Sequence, residues 1–505
     1  MGARTFEYRR TFRFQHDHAE DTEGYKEMTT IKIKSPGLKP LVQDDSQEGT
    51  ADSGSDDLAE TRIAAVLGLK QFTQRPVRTL LVKGLAGTGK TTIALEILKA
   101  AGKGKGAYIS SRVPKELLEM QIPAMKKTLQ NHEFLDIRLE DATSALDFVI
   151  QLTEKKVRTI VFDSWDGLAK ELEPKERLRA EKTLMALANN SGAQLVFVSE
   201  EPGATTIDYL VDGILELVRV EEQDRAVREF IIHKLRGTKI PQHKYLFTLL
   251  EGKFTFFGPY AIPDYSNVDK FVRRSDIDGC YSFGSGALDR LFGGIIPGST
   301  MVIEYDENVP YSALRTIELP PIINFLSMGR SAILLPLPGA NDEQTNSILA
   351  KTLSKSVVGD RLNILNIVRT SDVETTQLLK NVTPNEIHEM VTRETTRLRE
   401  KSKDQSVLLV KSVSALENLF ASDLDSLLEV TSQEIITLAQ SHDAHILFLA
   451  KDSPIRSRIL SMSSSYAKLF VRDGTVLMFG VKPHTGIYVL QHLEDPTSPS
   501  LTQMV

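Results

Sequence analysis

Eight consecutive residues, Gly84, Leu85, Ala86, Gly87, Thr88, Gly89, Lys90 and Thr91, follow the spacing G-x-x-x-x-G-K-[ST], and Thr92 comes next. Glycines at these intervals let a loop bend until successive backbone N–H groups face one point, and a helix starting there adds the positive end of its dipole. The chemistry this suits is the seating of a phosphate chain. Lys90 would reach the β- and γ-phosphates of a nucleoside triphosphate, and the Thr91 hydroxyl would take one position on a magnesium ion. A metal held there wants a carboxylate at the carboxyl end of a buried strand, and Asp163 closes the apolar run 159–163. The expected nucleotide set is therefore Gly84 through Thr92 with ATP, and the expected metal pair is Thr91 and Asp163 with Mg2+.

A strand-like run at 79–82 precedes the loop and a helical stretch follows it. Further strand-like runs at 107–110, 159–162 and 194–199 alternate with helical segments, the pattern of a parallel sheet with crossover helices. These elements delimit a first domain over 58–257. Ahead of it, residues 1–57 read as a disordered tail, because 41–60 holds seven acidic residues, no Lys or Arg and several Gly and Ser. Residues 258–274 read as a linker, 275–493 as a second domain and 494–505 as a C-terminal tail. The second domain repeats anchors of the first: 300–305 aligns with 79–84, 407–412 with 159–164, and Asp473-Gly474 with Asp212-Gly213.

At 505 residues, with 41% apolar and 25% charged, the chain has a globular composition, and no apolar run approaches the roughly 20 residues that cross a bilayer. The start lacks the apolar core of a secretory signal, and one cysteine, Cys280, fits a reducing compartment, so a cytoplasmic location without membrane is expected. A net charge of −6 gives no general attraction to nucleic acid and leaves a local basic patch open. The run from Lys175 to Lys182 is basic but interleaved with glutamates, which reads as a solvated helix face.

The loop 84–91, Asp163-Ser164, Asp212-Gly213 and the run 230–238 together resemble the RecA-superfamily branch containing KaiC and the gas-vesicle regulator GvpD. Residues 284–298 resemble the lead-in segment of KaiC-like domains. The resemblance implies an α/β fold of two tandem RecA-like P-loop domains. It also implies a role for Lys234 and Arg236, since KaiC-like rings use a K-x-R pair to sense the γ-phosphate of a neighbouring subunit. They would then be trans sensors in a homo-oligomer; otherwise they are solvated charges on an edge strand.

Three departures shape the expected function. KaiC-like ATPases carry glutamates after the second strand, where this chain has Arg112 and Val113. An arginine cannot accept a proton, so no catalytic residue is assigned; Asp166, Glu200 and Glu201 are the stand-in bases. In the second domain Tyr305, Pro310 and Tyr311 fall at the positions of Gly84, Gly89 and Lys90, and Lys411 at that of Asp163. Asp306 and Glu307 would repel phosphate, so this domain reads as a pseudo-ATPase. The first domain's approach, 65–78, lacks the Gly-Gly-x-x-Pro-x-Gly turn, which places the chain nearer GvpD in character. The expectation is an ATP-binding regulatory switch with slow or absent turnover, acting on a protein partner that GvpD suggests is a transcription regulator. The alternative is a RecA-type recombination or DNA-associated ATPase.

Overall fold

The computed structural model describes residues 79–140, 142–265, 271–337, 342–365, 382–491 and 499–505. The expected tail 1–57 and the approach 65–78 lie outside the described residues.

Nine strands form the first sheet: β1 (Thr79–Gly84), β2 (Gly106–Ser110), β3 (Glu133–Asp136), β4 (Thr159–Asp163), β5 (Gln194–Ser199), β6 (Gly213–Glu222), β7 (Arg225–Leu235), β8 (Lys244–Thr248) and β9 (Thr255–Phe257). Their order is β3-β2-β4-β5-β1-β6-β7-β8-β9. The part from β3 to β6 is parallel, and β6 to β9 continue it as an antiparallel ladder. β2, β4 and β5 are almost wholly buried because helices cover both faces, as a parallel sheet requires. Leu80, Val82, Val161 and Val198 face the helix α1 (Lys90–Ala100), while Ile160, Phe162 and Phe197 pack with Leu184 and Ala188 of α2 (Pro174–Ser191). A short helix, α3 (Thr206–Leu210), leads into β6.

A second sheet comprises β10 (Ser299–Tyr305), β11 (Ser331–Leu335), β12 (Leu362–Ile364), β13 (Val407–Ser412), β14 (Ala444–Ala450), β15 (Ser465–Arg472), β16 (Thr475–Lys482), β17 (Tyr488–Gln491) and β18 (Ser500–Gln503). Its order, β12-β11-β13-β14-β10-β15-β16-β17-β18, matches the first sheet strand for strand. The fold is thus two tandem RecA-like α/β lobes. The helix α4 (Tyr311–Ser327) takes the place of α1, and α5 (Pro384–Lys401) and α6 (Leu424–Leu438) cover the opposite face.

Pairing corrects two of the three sequence anchors. Five residues separate Gly84, the end of β1, from α1, as five separate Tyr305, the end of β10, from α4, so the first anchor stands and makes Leu195, beside Thr79, the counterpart of His445, beside Thr300. Thr159 pairs with Gln194, whereas its counterpart beside Ala444 is Leu408, one residue beyond the expected Val407. Ser412, not Lys411, therefore stands at the position of Asp163. The third anchor fails outright: Gly213 pairs with Leu80 at the start of β6, and the matching residue beside Met301 is Ser465. Asp473 and Gly474 instead turn the β15–β16 hairpin.

The last residues are not a tail. Ser500–Gln503 pairs with β17, and Met504 is buried beside Val227, Leu246 and Phe257 of the first lobe and Phe470, Leu477, Phe479, Ile487 and Val489 of the second. This cluster is the seam between the lobes. Arg225 lies over the Phe479 ring at 4.1 Å, and Arg472 pairs with Glu222 and Glu229 across it. Tyr260, in the expected linker, donates its N–H to Gly474 at 2.8 Å, so that stretch is docked on the second lobe.

Candidate functional site

The loop between β1 and α1 sits at the carboxyl edge of the first sheet, and glycine is needed where it leaves β1. Gly84 has φ +149°, and a Cβ there would stand 2.5 Å from the Leu217 carbonyl oxygen. Gly89, at φ +103°, is the residue before α1.

Lys90 opens α1 and is buried, its Nζ donating to the Leu85 carbonyl at 2.7 Å and to Glu200 Oε1 at 3.3 Å. Burial pulls its pKa down, opposed by the Glu200 carboxylate. Thr91 Oγ1 donates to Asp163 Oδ2 at 2.6 Å, and Tyr108 Oη donates to the same oxygen at 2.5 Å. Burial and then the Asp163 charge raise the Tyr108 hydroxyl well above its ordinary value, so it stays a donor. Thr88 is buried with its hydroxyl on the Leu85 carbonyl at 2.9 Å, Thr92 is buried in the first turn of α1, and Leu85, Ala86 and Gly87 form the exposed tip. The structure thus brings together the residues the sequence singled out. Their chemistry suits a metal-bound phosphate chain, with amides and a cation on one side and a hydroxyl–carboxylate pair on the other.

The three stand-in carboxylates separate into different tasks. Asp166 accepts the Glu200 N–H at 2.6 Å and the Ser199 hydroxyl at 3.2 Å, which fixes the backbone after β5. Glu201 is paired with Arg177 at 3.0 Å. Glu200 alone reaches the loop, shared between Lys90 and Arg112. Burial works to raise its pKa, but the Arg112 hydrogen bond and the Lys90 charge outweigh it and hold the carboxyl below its ordinary value. A carboxylate held low is a weak proton acceptor. Val113, the other departure, packs at the edge of the core, and its carbonyl accepts the Ser110 hydroxyl at 2.6 Å.

In the second lobe five residues again separate strand from helix, with Tyr305 ending β10 opposite Leu469 as Gly84 lies opposite Leu217. Pro310 precedes α4 in the place of Gly89 and has no N–H to give. Tyr311 opens α4 where Lys90 opens α1. Lys411 is no counterpart of Asp163: it points to the opposite face of the sheet, where Nζ pairs with Glu434 of α6 at 2.6 Å. Burial would raise Glu434, yet Lys411 and the His388 contact at 3.1 Å hold it well below the carboxylate range.

Lys234 and Arg236 lie together beside α3, but β7 ends at Leu235 and Arg236 stands just past it. Lys234 Nζ donates to the carbonyls of Val211 at 2.5 Å and Asp208 at 3.2 Å, and Arg236 lies 3.6 Å from Asp212. Both cations are used within the lobe.

A family model described as GvpD gas vesicle protein, P-loop domain, matches residues 69–233. This is a GvpD-like P-loop protein. It is 26% identical to Protein GvpD2 of Halobacterium salinarum over 477 residues, 86% of this chain and 95% of that relative. It is also 26% identical to Protein GvpD1 of the same organism over 303 residues, 54% of this chain and 56% of that relative. An alignment as long as the first runs through both lobes, so the GvpD-like architecture includes the second. A P-loop domain implies nucleotide binding. Among the described residues no helix is long and apolar enough to cross a membrane.

Sequence reasoning did not see the pairing of Glu200 with both Lys90 and Arg112, nor the hold of Tyr108 on Asp163. It also missed Arg228, whose Nη1 donates to the Gly87 carbonyl at 2.9 Å. None of these has a local signal, because each joins residues 55 or more positions apart.

Proposed function

We propose that this chain is an ATP-binding regulatory switch: the first lobe holds ATP with magnesium, turns it over slowly or not at all, and changes how the molecule engages a protein partner. The observation that carries this reading is the convergence of Lys90, Thr91 and Asp163 at one loop, with Glu200 as the only loop-facing stand-in carboxylate and held by two cations. Gly84, Leu85, Ala86, Gly87, Thr88, Gly89, Lys90, Thr91 and Thr92 would cradle the phosphates, and Thr91 with Asp163 would hold the metal. In that bound form Lys90 exchanges Glu200 for phosphate oxygen, while the Asp163 carboxylate keeps a fixed place through Tyr108. The likeness to GvpD proteins supports gas-vesicle regulation as the setting, with a transcription regulator as the kind of partner. The second lobe serves as a pseudo-ATPase, since Tyr305, Pro310 and Tyr311 replace the loop chemistry and Ser412 the carboxylate.

The test is ATP titration by calorimetry with and without magnesium. Lys90→Ala should weaken binding by 100-fold or more, by loss of a charge-assisted contact of roughly 3 kcal/mol. Asp163→Asn should retain more binding and lose magnesium dependence. An unchanged affinity in Lys90→Ala sinks the site assignment.

One observation favours the DNA-associated reading. On α2 one of the interleaved glutamates is withdrawn from solvent: Glu181 is buried against Trp165, Arg177 and Thr206, while Glu176 stays exposed and accepts the Glu173 N–H at the start of the helix. Lys175, Arg179 and Lys182 are left exposed on the outer face. Salt-dependent DNA binding that is lost when all three become Ala would support that reading over the regulatory one.

A further inference from the structure

Strand β7 has two faces with different duties. Arg225, Val227 and Glu229 face the second lobe, where they meet Phe479, the seam cluster and Arg472. Arg228 and Phe230 lie on the other face, toward α1 and the phosphate loop. The Arg228 guanidinium then joins the two sides: Nη1 donates to the Gly87 carbonyl at 2.9 Å and Nε to the Val505 main-chain oxygen at 2.6 Å. A second contact runs beside it. Thr248, ending β8, donates its hydroxyl to the Gln503 carbonyl at 2.7 Å and accepts the Val505 N–H at 3.2 Å. The next residue, Leu249, covers Gly89 so closely that a Cβ there would stand 2.9 Å from its Cδ1.

The loop is therefore touched at Gly87 and Gly89 by residues whose neighbours hold 503–505. The Gly87 contact bears on phosphate binding directly. A peptide unit is planar and trans, so a carbonyl drawn outward by Arg228 turns the Thr88 N–H inward. Among the described residues that N–H meets the Leu85 carbonyl at 3.4 Å, a weak bond that phosphate oxygen would replace.

Resting on the nucleotide reading above, we propose that the second lobe is coupled to the phosphate loop through Arg228 and Leu249, so that nucleotide binding and docking of residues 500–505 strengthen each other. Linkage makes the effect reciprocal: the factor by which docking raises affinity is the factor by which nucleotide raises docking. The second lobe, without a phosphate seat of its own, reads the occupancy of the first.

Hydrogen exchange on the full chain, with and without ATP and magnesium, tests this, with the Val505 amide as the reporter. Nucleotide should slow exchange across 499–505 by about 5-fold or more, the lower end of ordinary couplings. Arg228→Lys keeps the charge but lacks the fork that spans two main-chain oxygens; it should bind nucleotide about 5-fold more weakly and lose the slowing. Leu249→Ala should act in the same direction. A wild type that binds nucleotide with no change across 499–505, or both variants binding as tightly as wild type, overturns the coupling. A wild type that binds no nucleotide overturns the reading beneath it, which separates the two failures.

Discussion

Glu200→Gln should tighten nucleotide binding, the opposite of what removing a catalytic carboxylate usually suggests. Lys90 Nζ is 3.3 Å from Glu200 Oε1, and the same oxygen takes Arg112. At that separation Coulomb's law gives about 5 kcal/mol with an effective dielectric near 20, an upper bound. The Glu200 side chain is 32% exposed and the Lys90 side chain 5%, so solvent screens one end of the pair and a net worth of about 1 kcal/mol is the better figure. Phosphate must displace this pair before Lys90 can serve it. Removing the carboxylate charge should therefore improve affinity about 5-fold, at 1.36 kcal/mol per decade, and relieving its repulsion of the γ-phosphate adds in the same direction. Calorimetric titration against wild type measures the affinity, and phosphate release under saturating ATP measures turnover. Slow turnover should change less than about 3-fold, because a carboxyl held low by two cations contributes little as a base. Weaker binding would refute the competition argument, and a 100-fold fall in turnover would make Glu200 the base.

The remaining expectations concern the rest of the molecule. The full chain should bind one ATP, not two, because Pro310 and Tyr311 replace the loop glycine and lysine; a calorimetric stoichiometry of two would restore the second lobe as a nucleotide site. If Lys234 and Arg236 act in trans, ATP should drive self-association that the double change to Ala abolishes while first-site binding persists, and an unchanged monomer in sedimentation with ATP analogue, with ADP and without nucleotide leaves them holding α3. Lys411→Ala should destabilise the second lobe by about 3–5 kcal/mol, the cost of stranding a buried partner, seen as a fall in Tm with nucleotide affinity within 2-fold of wild type. An unchanged Tm would mean that Glu434 finds compensation elsewhere.

The phosphate loop, its flanking strand and helix, and Asp163 were legible in the sequence because each is a local pattern with a steric or electrostatic reason. The repeat was legible in outline, and it failed where patterning is silent. The run Val407-Leu408-Leu409-Val410-Lys411-Ser412 is buried on both faces, so nothing in it says which side chain faces α4, and a slip of one residue exchanges Lys411 for Ser412. Asp-Gly before a strand and Asp-Gly in a hairpin turn look alike, which misplaced Asp473. The terminal strand was missed because its four residues are fixed by pairing with β17 and by the seam, not by their own propensity. The partners of Glu200, Tyr108 and Arg228 are set by the closing of the sheet.

The cluster between the lobes sets a limit on how this molecule can be taken apart. Chain cleaved anywhere in 258–274 would leave Phe470, Phe479, Ile487, Val489 and Met504 bare on one fragment and Val227, Leu246 and Phe257 on the other. Both wounds lie on antiparallel ladders, whose uncovered apolar faces and nearby edges favour association with foreign chains. Proteolysis of the folded protein should accordingly yield two pieces that remain together under native conditions and precipitate when separated. Either lobe expressed by itself would need those aromatic and aliphatic positions made polar before its ligands could be measured.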